Sequence, residues 1–132
     1  MGMLIETPVY LRALMRDFEA EGGRFEVREL RDAAEIGSLP EPVVINCTGF
    51  GARDLFGDAD LRPVKGQAVI LRPQAELDYA YVQLTPGNLL YMFPRKDGVV
   101  LGGTYDEGNE SLEPDPRQTE RILHEHVTLH RG

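Results

Sequence analysis

Apolar residues recur at helical spacing early in the chain and at strand spacing later. After Thr7-Pro8, the residues Leu11, Leu14, Met15 and Phe18 fall on one stripe of a helix, with Thr7 as the capping hydroxyl and proline at the first helical position. Gly22-Gly23 ends that helix, and Arg24 to Leu30 then alternates as a strand does. A short helical or turn segment is predicted around Asp32 to Ile36. Pro40 and Pro42 bracket the entry to Val43-Val44-Ile45, whose unbroken β-branched character suits a strand buried on both faces. A helix between two such strands is the βαβ order of a parallel sheet.

The pattern changes after Asp58. Val64 to Leu71, Tyr79 to Leu84, Leu89 to Phe93 and Gly98 to Thr104 read as strands joined by short turns, which favours an antiparallel sheet. One of these turns is the charged Arg95-Lys96-Asp97-Gly98. Pro114 to Pro116 then mark the start of a last helix, with Asp115 as its cap and Ile122, Leu123, Val127 and Leu129 as its apolar face. The fold class is therefore α+β, a mixed α/β chain: part of a βαβ sheet, then an antiparallel sheet with a C-terminal helix. A boundary near Asp60 divides it into residues 1–60, part of a nucleotide-binding domain, and residues 61–132, part of a substrate-binding domain.

Composition narrows the classes of partner. With 132 residues, 42% of them hydrophobic, the chain can bury one core. A formal net charge of −8 argues against nucleic acid, because phosphate binding needs a basic face. No run reaches the length of a membrane span, the first residues lack a secretory pattern, and a cytoplasmic compartment is the default. The single cysteine rules out an internal disulfide, and Cys47 reads as a small buried hydrophobe at a strand end. Asn46-Cys47-Thr48 and Asn109-Glu110-Ser111 match the glycosylation pattern by accident if the chain is not secreted.

Few residues offer chemistry. The strand ending in Asn46-Cys47-Thr48-Gly49 places a hydroxyl and a glycine where backbone can approach a cofactor, although the same residues also make an ordinary turn. Tyr91, in Leu90-Tyr91-Met92-Phe93-Pro94, combines an apolar ring with a polar tip, suited to a pocket wall and equally to a sheet surface. His126 and His130 stand at i, i+4, but the H-E-x-x-H pattern fails at Thr128, and they read as an exposed helix end rather than a metal site. Asp106, Glu107, Glu110 and Glu113 read as a solvated loop. No nucleophile has an adjacent base, and no catalytic acid, base or metal ligand is assigned.

In order and spacing, the Asn-Cys-Thr-Gly strand end, Pro63-Val64-Lys65-Gly66-Gln67, the Tyr-x-x-Pro strand, Leu101-Gly102-Gly103-Thr104 and Gly108-Asn109 resemble the D-amino acid oxidase family of FAD-dependent oxidoreductases. The resemblance runs from about Leu4 to about His130. It implies FAD as cofactor, with contacts from Thr48 and Gly49 and from the backbone of the Arg28-Glu29-Leu30 strand at the adenine end. It implies that Tyr91 binds the carboxylate of a small-molecule D-amino acid, whose α-hydrogen passes as hydride to the flavin, with no protein acid or base demanded.

Four departures qualify the match. No G-x-G-x-x-G strand–helix turn precedes Met3, and the family's carboxylate-binding arginine segment has no counterpart, so the chain reads as the middle of an oxidase, inactive alone. A second family tyrosine falls at Gly87, in the tight turn Pro86-Gly87-Asn88, and the tryptophan common after Gly-Asn is missing. A glycine or secondary-amine oxidase of the same fold, one subunit of a split oxidase, and a non-catalytic fragment are the alternatives. Self-association is expected wherever complementary segments would pack.

Overall fold

A computed structural model describes residues 3–85 and 88–131. Its ordered centre is a four-stranded antiparallel sheet with one helix across it. The strands β2 (Ala68–Leu71), β3 (Tyr81–Thr85), β4 (Asn88–Arg95) and β5 (Gly98–Gly102) lie in the order β2-β5-β4-β3. The short strand β1 (Val64–Lys65) pairs antiparallel with β6 (Asp106–Glu107) as a separate ribbon. The last helix, α4 (Pro116–Arg131), packs on β2, β4 and β5. Mixed helix and antiparallel sheet with a C-terminal helix is thus the observed class, as the pattern predicts.

Registration explains the core. Met92 lies opposite Leu101 and Tyr81, and Leu101 lies opposite Val69, so these side chains share the face that meets α4. Met92, Val99, Leu101 and Ile122 form the buried cluster, with Ile122 wholly enclosed. Burying side chains of this size stabilises by roughly 1.5–3 kcal/mol each. The β4–β5 hairpin closes at Lys96-Asp97, between the paired Arg95 and Gly98. Gly98 cannot carry a side chain, because a Cβ there would stand 2.7 Å from Ile70 Cγ2 and 2.8 Å from the Leu71 carbonyl.

Gln67 ties the helix to the sheet. Its amide donates to the Asp115 carbonyl at 3.0 Å and to Thr119 Oγ1 at 2.9 Å, and its Oε1 accepts from the Asp115 N–H at 2.9 Å. The Gln67 N–H itself donates to Thr104 Oγ1 at 2.7 Å. Asp115 caps α4, its carboxylate accepting from the Arg117 N–H at 2.9 Å.

The first half of the chain holds helices α1 (Thr7–Ala20), α2 (Ala33–Gly37) and α3 (Ala52–Phe56). Four expectations are corrected here. Thr7 is inside α1 rather than capping it, Glu6 taking the cap position without a side-chain hydrogen bond. Arg24 to Leu30 and Val43 to Ile45 form no ladder. A parallel sheet needs hydrogen-bonded neighbours and a crossover helix of some length. Here α2 has five residues, and no described segment lies along either edge. Cys47, at the end of the unpaired segment, is exposed rather than buried. On α4, Leu123, Val127 and Leu129 are exposed, and the face toward the sheet carries Ile122 and His126 instead. The Pro86-Gly87-Asn88 turn falls at Pro86 and Gly87 outside the described residues.

Candidate substrate and cofactor surfaces

The sheet has a second face, turned away from α4. Tyr91 sits opposite Gly102 and Val82, and Phe93 opposite Val100, with Ile70 on the far side of Val100. Alternation along each strand puts these residues on one surface. Ile70, Val82 and Leu84 are exposed there, whereas Tyr91 and Phe93 are half-buried and stack with ring centroids 5.2 Å apart.

Tyr91 owes its position to the glycine pair. A Cβ on Gly102 would fall inside the Tyr91 ring, and one on Gly103 would stand 2.8 Å from Tyr91 Cε1 and 3.1 Å from its hydroxyl. The ring therefore lies directly over bare backbone, with its hydroxyl beside Gly103. A cleft of about 640 Å³ opens at this edge, lined by Leu89, Gly103, Thr104, Tyr105, Asp106 and Arg121. A half-buried aromatic ring with a polar tip, resting on Gly103 where an open cleft shared with Gln118 and Arg121 of α4 begins, is suited to holding a small polar molecule by one end.

From beneath, α4 grips the same two glycines. Arg121 donates to the Gly103 carbonyl at 3.0 Å, while its other nitrogens bond Gln118 Oε1 at 2.8 Å and Glu125 Oε2 at 2.7 Å. His126 is buried, its Nε2 3.0 Å from the Gly102 carbonyl and its Nδ1 hydrogen-bonded to the Tyr81 hydroxyl. A carbonyl only accepts, so His126 Nε2 carries the hydrogen of that bond, and Nδ1 shares the second bond with the Tyr81 hydroxyl. Burial, and secondarily the neighbouring Tyr79, raises the Tyr81 pKa above its usual 10.0. His126 is not part of an exposed helix end. Its burial was legible in one signal, the four-residue step from Ile122, which puts both on one stripe.

The predicted cofactor contacts occupy a different part of the chain. Thr48 is exposed, its N–H and hydroxyl donating to Asn46 Oδ1 at 3.1 and 2.7 Å. Gly49 turns left-handed at φ 57°, and a Cβ there would meet open space. Arg28 is exposed and Leu30 half-buried in the unpaired extended segment. No described hydrogen bond or ring contact joins these four residues to Tyr91. The turn is instead held to the far loop through Arg53, which meets Glu110 at 2.6 Å and covers the Phe50 ring at 4.9 Å. Glu110 raises the Arg53 pKa by that hydrogen bond. An unobstructed glycine, an exposed hydroxyl and unpaired backbone fit peripheral contacts to a nucleotide.

Among the described residues no group of three or more His, Cys, Asp or Glu stands together to hold a metal. No described helix is long and apolar enough to cross a membrane.

Comparison with known proteins bears on what these surfaces serve. The family model described as DAO, FAD dependent oxidoreductase, matches residues 2–131. The chain belongs to that family. It is 37% identical over 118 residues to a D-amino-acid oxidase of Rubrobacter xylanophilus, covering 89% of this chain and 36% of that protein. It is 33% identical over 122 residues to a D-amino-acid oxidase of Dictyostelium discoideum, covering 92% of the chain and 34% of the relative. A human D-aspartate oxidase is 35% identical over 118 residues, covering 89% and 33% respectively. The chain thus spans about a third of the length of the curated relatives it matches.

Proposed function

We propose that the chain forms the amino-acid-binding sheet of an FAD-dependent oxidase that deaminates D-amino acids. The observation that carries this reading is Tyr91, held over Gly102-Gly103 on the open face of the sheet of a family member similar to D-amino-acid oxidases. Bound FAD supplies the acceptor for the hydride leaving the α-carbon. This chain's own residues bind and orient. The Tyr91 hydroxyl donates to the substrate carboxylate, and its ring with Phe93 excludes water from one side. Thr48, Gly49 and the Arg28–Leu30 backbone give the cofactor peripheral support, the N–H and C=O groups doing the work at Leu30. No residue of the chain is assigned a proton-transfer role.

Domain halves at 1–60 and 61–132 follow from the same reading, the first serving cofactor and the second substrate. A cytoplasmic compartment, with a small-molecule D-amino acid rather than nucleic acid as partner, completes it.

The test replaces the matched third of the Rubrobacter xylanophilus D-amino-acid oxidase with residues 3–131. Anaerobic addition of D-alanine is expected to bleach the bound flavin, while L-alanine leaves it yellow. A folded, yellow protein that glycine or sarcosine bleaches and D-amino acids do not would transfer the reading to an amine oxidase of the same fold.

A further inference from the structure

Resting on the reading of Tyr91 given above, we propose that Arg121 and His126 are positioning residues of the amino-acid site, acting through the backbone on which Tyr91 lies. Successive carbonyls, those of Gly102 and Gly103, are each taken by a side chain of α4: His126 Nε2 at 3.0 Å and an Arg121 nitrogen at 3.0 Å. The Gly103 N–H is also engaged, donating to the Leu89 carbonyl at 2.7 Å. Both glycines are buried. Held from below at both carbonyls and covered from above by the Tyr91 ring, this two-residue step has no room to shift without moving the ring.

The grip on His126 is itself directional. Its two ring nitrogens are both engaged, Nδ1 with the Tyr81 hydroxyl and Nε2 with the Gly102 carbonyl, so the ring is held from both sides. Arg121 is likewise oriented by Gln118 and Glu125, three and four residues away along α4. His126, which lies outside the cleft, and Arg121, which also lines it, thus set the height and tilt of the ring whose hydroxyl meets the substrate. Small displacements of a binding group weaken binding steeply.

The experiment uses the flavin-loaded exchange protein described above and steady-state kinetics with D-alanine. His126→Leu is expected to raise KM about tenfold, the effect of one misplaced hydrogen bond, with kcat little changed. His126→Gln, which keeps a donor near the Nε2 position, is expected to restore KM. On a Tyr91→Phe background, His126→Leu is expected to add no further increase, because both changes act through one hydroxyl. An unchanged KM in His126→Leu, or the same increase with and without Tyr91, would overturn the inference. Should His126→Leu fail to load flavin, the half-buried Arg121→Met variant is read by the same criteria. Failure of the unsubstituted exchange protein to oxidise any D-amino acid sinks the functional reading, and this inference with it. Turnover without a KM shift sinks the inference alone.

Discussion

Individual side chains in this molecule are placed by what their neighbours lack. Tyr91 lies flat because Gly102 has no Cβ, so Gly102→Ala is expected to destabilise by about 1–3 kcal/mol through overpacking and to lift the ring. Urea unfolding followed by circular dichroism measures the first effect, and a wild-type midpoint in that variant would count against it. Tyr81 gives a pH signature. Its folded pKa is raised above 10.0 by burial and by Tyr79, so its contribution is present in full below the unfolded value and is lost as pH rises through the folded one. Thermal unfolding of Tyr81→Phe is therefore expected to fall less steeply than that of the unaltered chain above pH ~10. Parallel curves would show that the phenol does not couple to folding. Tyr91 stands out as a candidate from its motif alone. His126 is reached only through its four-residue step from Ile122, and Arg121 not at all, because an apolar count along α4 passes over the polar residues that face the sheet.

Elements formed where local pattern and long-range pairing agreed. The strands from Ala68 to Gly102 sit close in sequence and need only short turns, so sequence alone delimits them to within a few residues, except that Val64 to Leu71, expected as one strand, breaks at Gly66-Gln67 into β1 and β2 of separate sheets. The segments Arg24 to Leu30 and Val43 to Ile45 have strand composition, yet strand composition becomes a strand only beside a hydrogen-bonded neighbour. The same argument accounts for Cys47, which a buried strand end would have covered and an unpaired one leaves exposed. On α4 the single wholly enclosed residue, Ile122, joins helix to sheet. Ile122→Ala is expected to lower stability by roughly 2–5 kcal/mol, whereas Leu123→Ala, on the exposed flank, stays within about 1 kcal/mol. Chemical denaturation of the two variants side by side checks the contrast, and equal losses would mean that the helix packs on a different face.

As a whole, the molecule presents one closed core and a large uncovered apolar surface. Leu11, Leu14, Met15 and Phe18 of α1 are all exposed, as are Val27, Val43 and Ile45. A surface of that kind is expected to drive self-association of the purified chain, and sedimentation that returns a single monomer over a wide concentration range would contradict this. Family membership and the sheet with its helix were legible in the sequence because each rests on short-range pattern. The relation between Thr48 and Tyr91 was not, since it depends on packing between distant parts of the chain. The central claim is that the open sheet face around Tyr91 meets the carboxylate of a D-amino acid. Its most direct test is the Michaelis constant for D-alanine of the exchange protein with and without Tyr91→Phe. Loss of a hydrogen bond to a charged group predicts a KM raised roughly 10- to 100-fold at nearly constant kcat. An unaltered KM would place the carboxylate elsewhere and contradict the account.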